Sequence, residues 1–190
     1  MKSKNLFLSY IIFLTSLNII ANDELTIDLG DKNNECKDIT RETLTERNFS
    51  NNFVGTFNGK KIEYTASLKE KIIYEKDDPN LPMASFFYTE YISKDSDQRP
   101  IIFSFNGGPG SASLWLHMGV LGPKVIKVPS DASDDGSPPY NIIDNKLSPL
   151  SDADLVFIDP IGTGYSRAIG CHEGEEFWGV SEDPKIIAEF

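Results

Sequence analysis

The chain has 190 residues and a formal net charge of −11, which speaks against a nucleic-acid binder, because phosphate contacts need clustered Lys and Arg. It has only two cysteines, too few for a disulfide-knit miniprotein or a four-cysteine zinc site. Twelve Phe, seven Tyr and two Trp are enough to build a core, so global disorder is not expected.

Taken in chain order, the first segment reads as an address. Lys2 and Lys4 precede an apolar run from Leu6 to Ile20, and Ala21 follows. A short basic region, a short apolar region and a small residue are the marks of a secretory signal peptide, with cleavage expected after Ala21. An uncleaved anchor is the alternative, although the run is shorter than the roughly 20 residues a spanning helix needs. No stable membrane insertion is expected once the segment is removed. Export, to the medium or a periplasm, would place Cys36 and Cys171 in an oxidising compartment, where they can pair or remain thiols.

Residues 22–52 are polar and weakly patterned, as in a linker or a loosely docked arm. Val54 to Phe57, Asn58-Gly59 and Ile62 to Ser67 predict a hairpin, because Asn-Gly readily takes the two positive-φ positions of a tight turn. Lys71 to Tyr74 and Ala84 to Ile92 are further strand candidates. Ile101 to Phe105 is a nearly unbroken apolar run, as expected of a strand buried on both faces. It stops at Asn106-Gly107-Gly108-Pro109-Gly110. Ser113 to Leu121 then has helical character and ends at Gly122-Pro123. An acidic loop over 130–139 follows, then a second buried-type strand from Leu155 to Ile158. Asp159-Pro160 and a glycine turn, Gly162-Thr163-Gly164-Tyr165-Ser166, come after it. Ser181 is placed to cap a helix running toward Phe190. Buried strands alternating with helices predict an α/β sheet, in which sites lie at the C-terminal ends of the strands.

Two consecutive glycines after a strand can turn backbone N–H groups toward open space, which makes an anion-binding concavity or an oxyanion hole. A plain strand-to-helix turn is the alternative reading. Gly164-Tyr165-Ser166-Arg167-Ala168 is the nearest approach to a Gly-x-Ser-x-Gly nucleophile elbow, but it starts several residues beyond the expected strand end and no clear helix follows, so Ser166 is not taken as a nucleophile. His117 reads as a packed helix residue. His172, beside Cys171, lacks a second ligand pair at metal-site spacing. Neither a metal nor a cofactor is expected.

Phe105-Asn106-Gly107-Gly108-Pro109-Gly110-Ser111 with Gly122-Pro123, Asp154 to Arg167, and Phe177-Trp178-Gly179-Val180 together resemble the serine carboxypeptidase family, in order and at sensible spacing from Phe53 to Phe190. That resemblance implies an α/β-hydrolase fold and a peptidase that releases C-terminal residues with a Ser-Asp-His triad. It assigns the Gly108 N–H to the oxyanion, and Asn106 with the Gly107 N–H to the carboxylate of a peptide substrate. Three positions depart from better-known members: Ser104 stands where they carry Trp, Ser111 where they carry Cys, and Val120 where they often carry Glu. The family's nucleophile turn, Asp and His are not found in these 190 residues. The chain is therefore expected to be the N-terminal part of such an enzyme, inactive alone. A peptide-binding module without catalysis, or an esterase or acyltransferase of the same fold, is the alternative.

Overall fold

The computed structural model describes residues 39–95, 98–107, 110–128, 138–179 and 182–189. The expected signal segment, Cys36, Gly108, most of the acidic loop and the Ser181 cap lie outside the described residues.

β1 (Asn48–Phe57) and β2 (Lys60–Tyr74) form the predicted hairpin, paired from Asn48↔Lys69 to Phe57↔Lys60. Asn58 and Gly59 take φ of 48° and 79° at its tip, as a two-residue turn between right-twisted strands requires. β2 is longer than expected and absorbs the separate Lys71–Tyr74 candidate. β3 (Pro82–Ser93) pairs antiparallel with β2. β4 (Ile101–Ser104) leads to a helical segment over 114–121, whose last five residues, His117–Leu121, widen into a π-turn. β5 (Lys124–Ile126) and β6 (Ile142–Asp144) make a small separate ribbon. β7 (Asp154–Ile158) inserts between β3 and β4, antiparallel to the first and parallel to the second. β8 (Arg167–Ala168) adds a short pairing to β3, and the chain continues to a helix over Glu182–Glu189.

The main path of the sheet therefore runs β1-β2-β3-β7-β4. β7 is its buried centre, and its alternate side chains feed two cores. Val156 and Ile158 join Ile73, Ala84, Phe86 and Phe177 on one face, where Ile186 and Ile187 of the last helix pack. Leu155 and Phe157 join Phe57, Ile62, Tyr64 and Leu150 on the other, where Leu116 and Leu121 pack. Helices thus cover both faces of a sheet with a parallel pair, which is an α/β arrangement. At the start of β7, Asp154 Oδ1 accepts from the Ser93 N–H and from Arg99 Nε, both at 3.0 Å, so the largely buried carboxylate does not stand unpaired.

Two expectations change. Residues 48–52 lie in β1 rather than in an arm. Their side chains are exposed, so the segment shows no apolar alternation, and backbone pairing with β2 makes it a strand. β4 is not buried on both faces: Ile101 and Phe103 are 50% and 55% exposed. β4 ends the strand path and pairs only with β7 among the described strands. An apolar run shows what a strand could bury, not what is present to cover it. Among the described residues no helix is long and apolar enough to cross a membrane.

Candidate functional site

β4 and β7 are adjacent and parallel, with Ser104 in register with Phe157, so the two glycine turns leave the sheet at the same end. Side chains join them. Ser113, 1% exposed, donates its backbone N–H to Asp159 Oδ1 at 2.8 Å and its hydroxyl to the Ile158 carbonyl. The segment that begins after β4 is thereby bonded to the last residues of β7.

In the first turn, Asn106 is half-buried, and its Oδ1 is buried with no hydrogen-bond partner among the described residues. A buried amide oxygen left unpaired is costly unless another group completes it. Gly107 is exposed, and a Cβ placed there would meet nothing within 4 Å. Packing therefore does not demand glycine at this position, and the backbone is open to anything that approaches it. Gly110 has φ +95°, where glycine is favoured. Gly108 lies outside the described residues.

The second turn is closed on itself. Gly162 N–H donates to the Ser166 carbonyl at 3.0 Å, and the Thr163 N–H and hydroxyl both reach the Pro160 carbonyl. Gly162, at φ +89°, lies under the Trp178 indole, whose N–H donates to the Ile161 carbonyl at 3.1 Å. Ser166 is fully buried. Its hydroxyl donates to the Asp159 carbonyl at 2.7 Å and accepts the Phe87 N–H at 2.8 Å, so it ties the turn to β3 and faces no open space. Ser166→Ala should leave the Phe87 N–H unpaired and lower stability by about 2 kcal/mol. A urea-unfolding midpoint unchanged from the parent would contradict this role.

Burial pushes the Asp159 carboxyl above its usual range, against the single Ser113 N–H that favours the charged form. Neither Asp159 nor Ser113 was singled out from sequence, although a strand-end Asp-Pro is a visible signal. His117 is packed, as expected. It stacks on Phe157 with ring centroids 4.5 Å apart, its Nε2 lies 2.5 Å from the Tyr91 hydroxyl, and burial lowers its pKa to about 4. His172 lies between Glu176 (2.7 Å) and Glu75 (2.9 Å), tying the end of β2 to the 3-10 turn Gly174–Phe177. Cys171 is exposed. No group of three metal-ligating side chains occurs among the described residues.

Comparison with known proteins adds an independent finding. A family model described as serine carboxypeptidase matches residues 63–173, more than half of the chain. A pheromone-processing carboxypeptidase of Komagataella phaffii is 34% identical over 82 residues, which cover 43% of this chain and 12% of that protein. A serine carboxypeptidase-like protein of Arabidopsis thaliana is 32% identical over 90 residues, covering 46% of this chain and 17% of its own length. The matched stretch is thus a small part of either relative.

Proposed function

The chain belongs to the serine carboxypeptidase family, and from that premise we propose that its first glycine turn is the peptide-binding turn of an exported serine carboxypeptidase. The observation that carries this is the exposed backbone of Gly107 beside the half-buried Asn106 amide, at the C-terminal end of a sheet strand. The Asn106 Nδ2 and the Gly107 N–H are the donors this turn offers to a carboxylate, while the unpaired Oδ1 is an acceptor and does not itself bind an anion. In this reading Asn106 Nδ2 and the Gly107 N–H bind the free C-terminus of a peptide, and the Gly108 N–H holds the oxyanion. Placing that donor in the loop between a strand and the helix after it is how α/β-hydrolases supply one oxyanion N–H, and the β3-β7-β4 order with helices on both faces supports the hydrolase fold.

The chemistry is acyl transfer. A serine hydroxyl adds to the scissile carbonyl as a base takes its proton, and the C–N bond breaks while the leaving amine receives that proton. Water then hydrolyses the acyl-enzyme and restores the serine. The chain holds no Gly-x-Ser-x-Gly elbow, and its nearest serine, Ser166, is buried and bonded at both ends. The nucleophile, Asp and His are accordingly taken to come from outside these 190 residues. Secreted or periplasmic placement rests on the Met1–Ala21 segment.

The test is binding by the chain as it stands. An N-acylated tripeptide with a free C-terminus should bind, its C-terminal amide should not, and Asn106→Ala should weaken binding about tenfold. Equal affinity for acid and amide would overturn the assignment. No peptide cleavage is expected of the chain alone; turnover that Ser166→Ala abolishes would refute the reading of that serine.

A further inference from the structure

A second place in the molecule has the chemistry of an anion site. A cleft of about 350 Å³ is lined by Arg47, Phe49, Leu68, Phe87, Tyr165 and Arg167. Asn106 and Gly107 do not line it. Its lining mixes polar and apolar surface about equally; the apolar share is aromatic, with Phe49 59% and Tyr165 70% exposed and the Tyr165 ring 5.8 Å from that of Phe87. Large aromatic surface left open beside guanidinium groups is a recognition feature rather than a packing one.

The two arginines are not equivalent. Arg47 stacks 4.8 Å over Phe87 and spends Nε and Nη2 on the two Glu70 oxygens, at 2.7 and 3.0 Å. Burial works to raise the Glu70 carboxyl, but Arg47 and the Ser85 hydroxyl together hold it below its usual range, so this pair is charge-balanced. Arg167 has no carboxylate within ion-pair distance among the described residues. Its Nη1 alone is engaged, by the Ser166 carbonyl at 2.7 Å and weakly by the Thr163 carbonyl at 3.4 Å. Those contacts hold the guanidinium in place and leave its Nε–Nη2 edge unspent. The cleft therefore carries one uncompensated positive charge, on a chain whose formal net charge is −11.

One free guanidinium edge offers two parallel donors, which match the two oxygens of a carboxylate. A phosphate would bring further charge and a third oxygen with no donor to meet them, because Arg47 is already committed to Glu70. The aromatic walls add a surface for a flat, apolar body. We propose that this cleft binds a carboxylate attached to an aromatic group, held by Arg167 and stacked among Phe49, Phe87 and Tyr165. Two peptide sources share this chemistry: a C-terminal aromatic residue, or an acidic side chain next to an aromatic one.

Calorimetric titration of the full chain tests it with three probes: N-acetylphenylalanine, its C-terminal amide, and N-acetyl-glutamyl-phenylalaninamide. N-acetylphenylalanine binding with the plain amide silent assigns the C-terminal source. Binding of the glutamyl amide alone assigns the side-chain source. In either case Arg167→Gln should weaken binding about tenfold or more. Because Arg167 also braces the turn, Tyr165→Ala serves as the second variant. Its ring is exposed, so the fold should persist, with affinity reduced about fivefold. Failure of both acids to bind, retention of full affinity by Arg167→Gln and Tyr165→Ala, or loss that follows Asn106→Ala instead would each overturn the proposal. The last outcome would leave the Asn106 reading standing, so the two assignments fail separately.

Discussion

Gly164→Ala is expected to lower the stability of the chain by about 3 kcal/mol, through two costs that can be separated. Gly164 has φ +51°, a conformation that costs an L-residue about 1 kcal/mol or somewhat more. A Cβ there would also stand 2.1 Å from Asp159 Oδ2, where no real Cβ contact is found. Asp159 cannot simply swing away, because its other oxygen holds the Ser113 N–H and burial confines it. Overpacking of this kind costs about 1–3 kcal/mol. Gly59 is the control: its φ is +79°, and a Cβ there meets nothing within 4 Å. Gly59→Ala should therefore show only the conformational cost. Urea unfolding of the two variants measures the difference, and equal losses would remove the contact with Asp159 from the account. A double variant with Asp159→Ala should recover part of the Gly164→Ala loss, since neighbouring sites are non-additive. The same variant should shift the first glycine turn, because Asp159 is what Ser113 is tied to.

Acid should weaken the fold through His117, and the sign follows from its burial. Stacked on Phe157 and beside the Tyr91 hydroxyl, the imidazole has a pKa lowered to about 4 from an ordinary 6.5. The unfolded chain takes up the proton near 6.5 and the folded chain only near 4. The stability held by neutral His117 is therefore complete above 6.5 and is lost as pH falls toward 4. A gap of this size amounts to about 3 kcal/mol, of which about 2 kcal/mol should be gone by roughly pH 5. Two carboxyls also contribute, with opposite signs. Glu70, held below its usual range, loses its contribution as pH falls below the ordinary carboxylate value. Asp159, held above its usual range, gains as pH falls through its raised value. Asp159 thus works against His117 as pH falls, and the His117 share of the slope between about pH 6.5 and about pH 5 is read from the difference between the parent and a His117 variant. His117→Gln keeps a polar group facing Tyr91 and cannot take up a proton, so its urea midpoint should fall less with decreasing pH over that span than the parent's. A slope equal to the parent's would place the acid sensitivity elsewhere.

These predictions turn on contacts of different legibility. The hairpin at Asn58-Gly59 and the buried strand at Leu155–Ile158 were readable, because turn chemistry and an uninterrupted apolar run are local properties. The first half of β1 was not. Residues 48–52 are exposed, and a strand held by backbone pairing with β2 leaves little trace in side-chain pattern. The exposure of β4 departs from expectation for the converse reason: Ile101 and Phe103 are apolar enough for a core, but at the end of the strand path about half of each stays exposed.

At the site, the sequence by itself determined where to look. Glycine turns after apolar strands, and the order of motifs around Asn106 and Asp159, are written in residue types, because only certain residues permit such turns and only certain groups carry such chemistry. Tertiary structure alone decided the rest. It paired β4 with β7 so that both turns leave the sheet together, and it spent the Ser166 hydroxyl on Phe87 and Asp159. It also balanced Arg47 with Glu70 while leaving the edge of Arg167 unspent. The partners in these contacts are far apart along the chain or reached across strands, and whether a polar group is spent or free depends on what the fold brings to it.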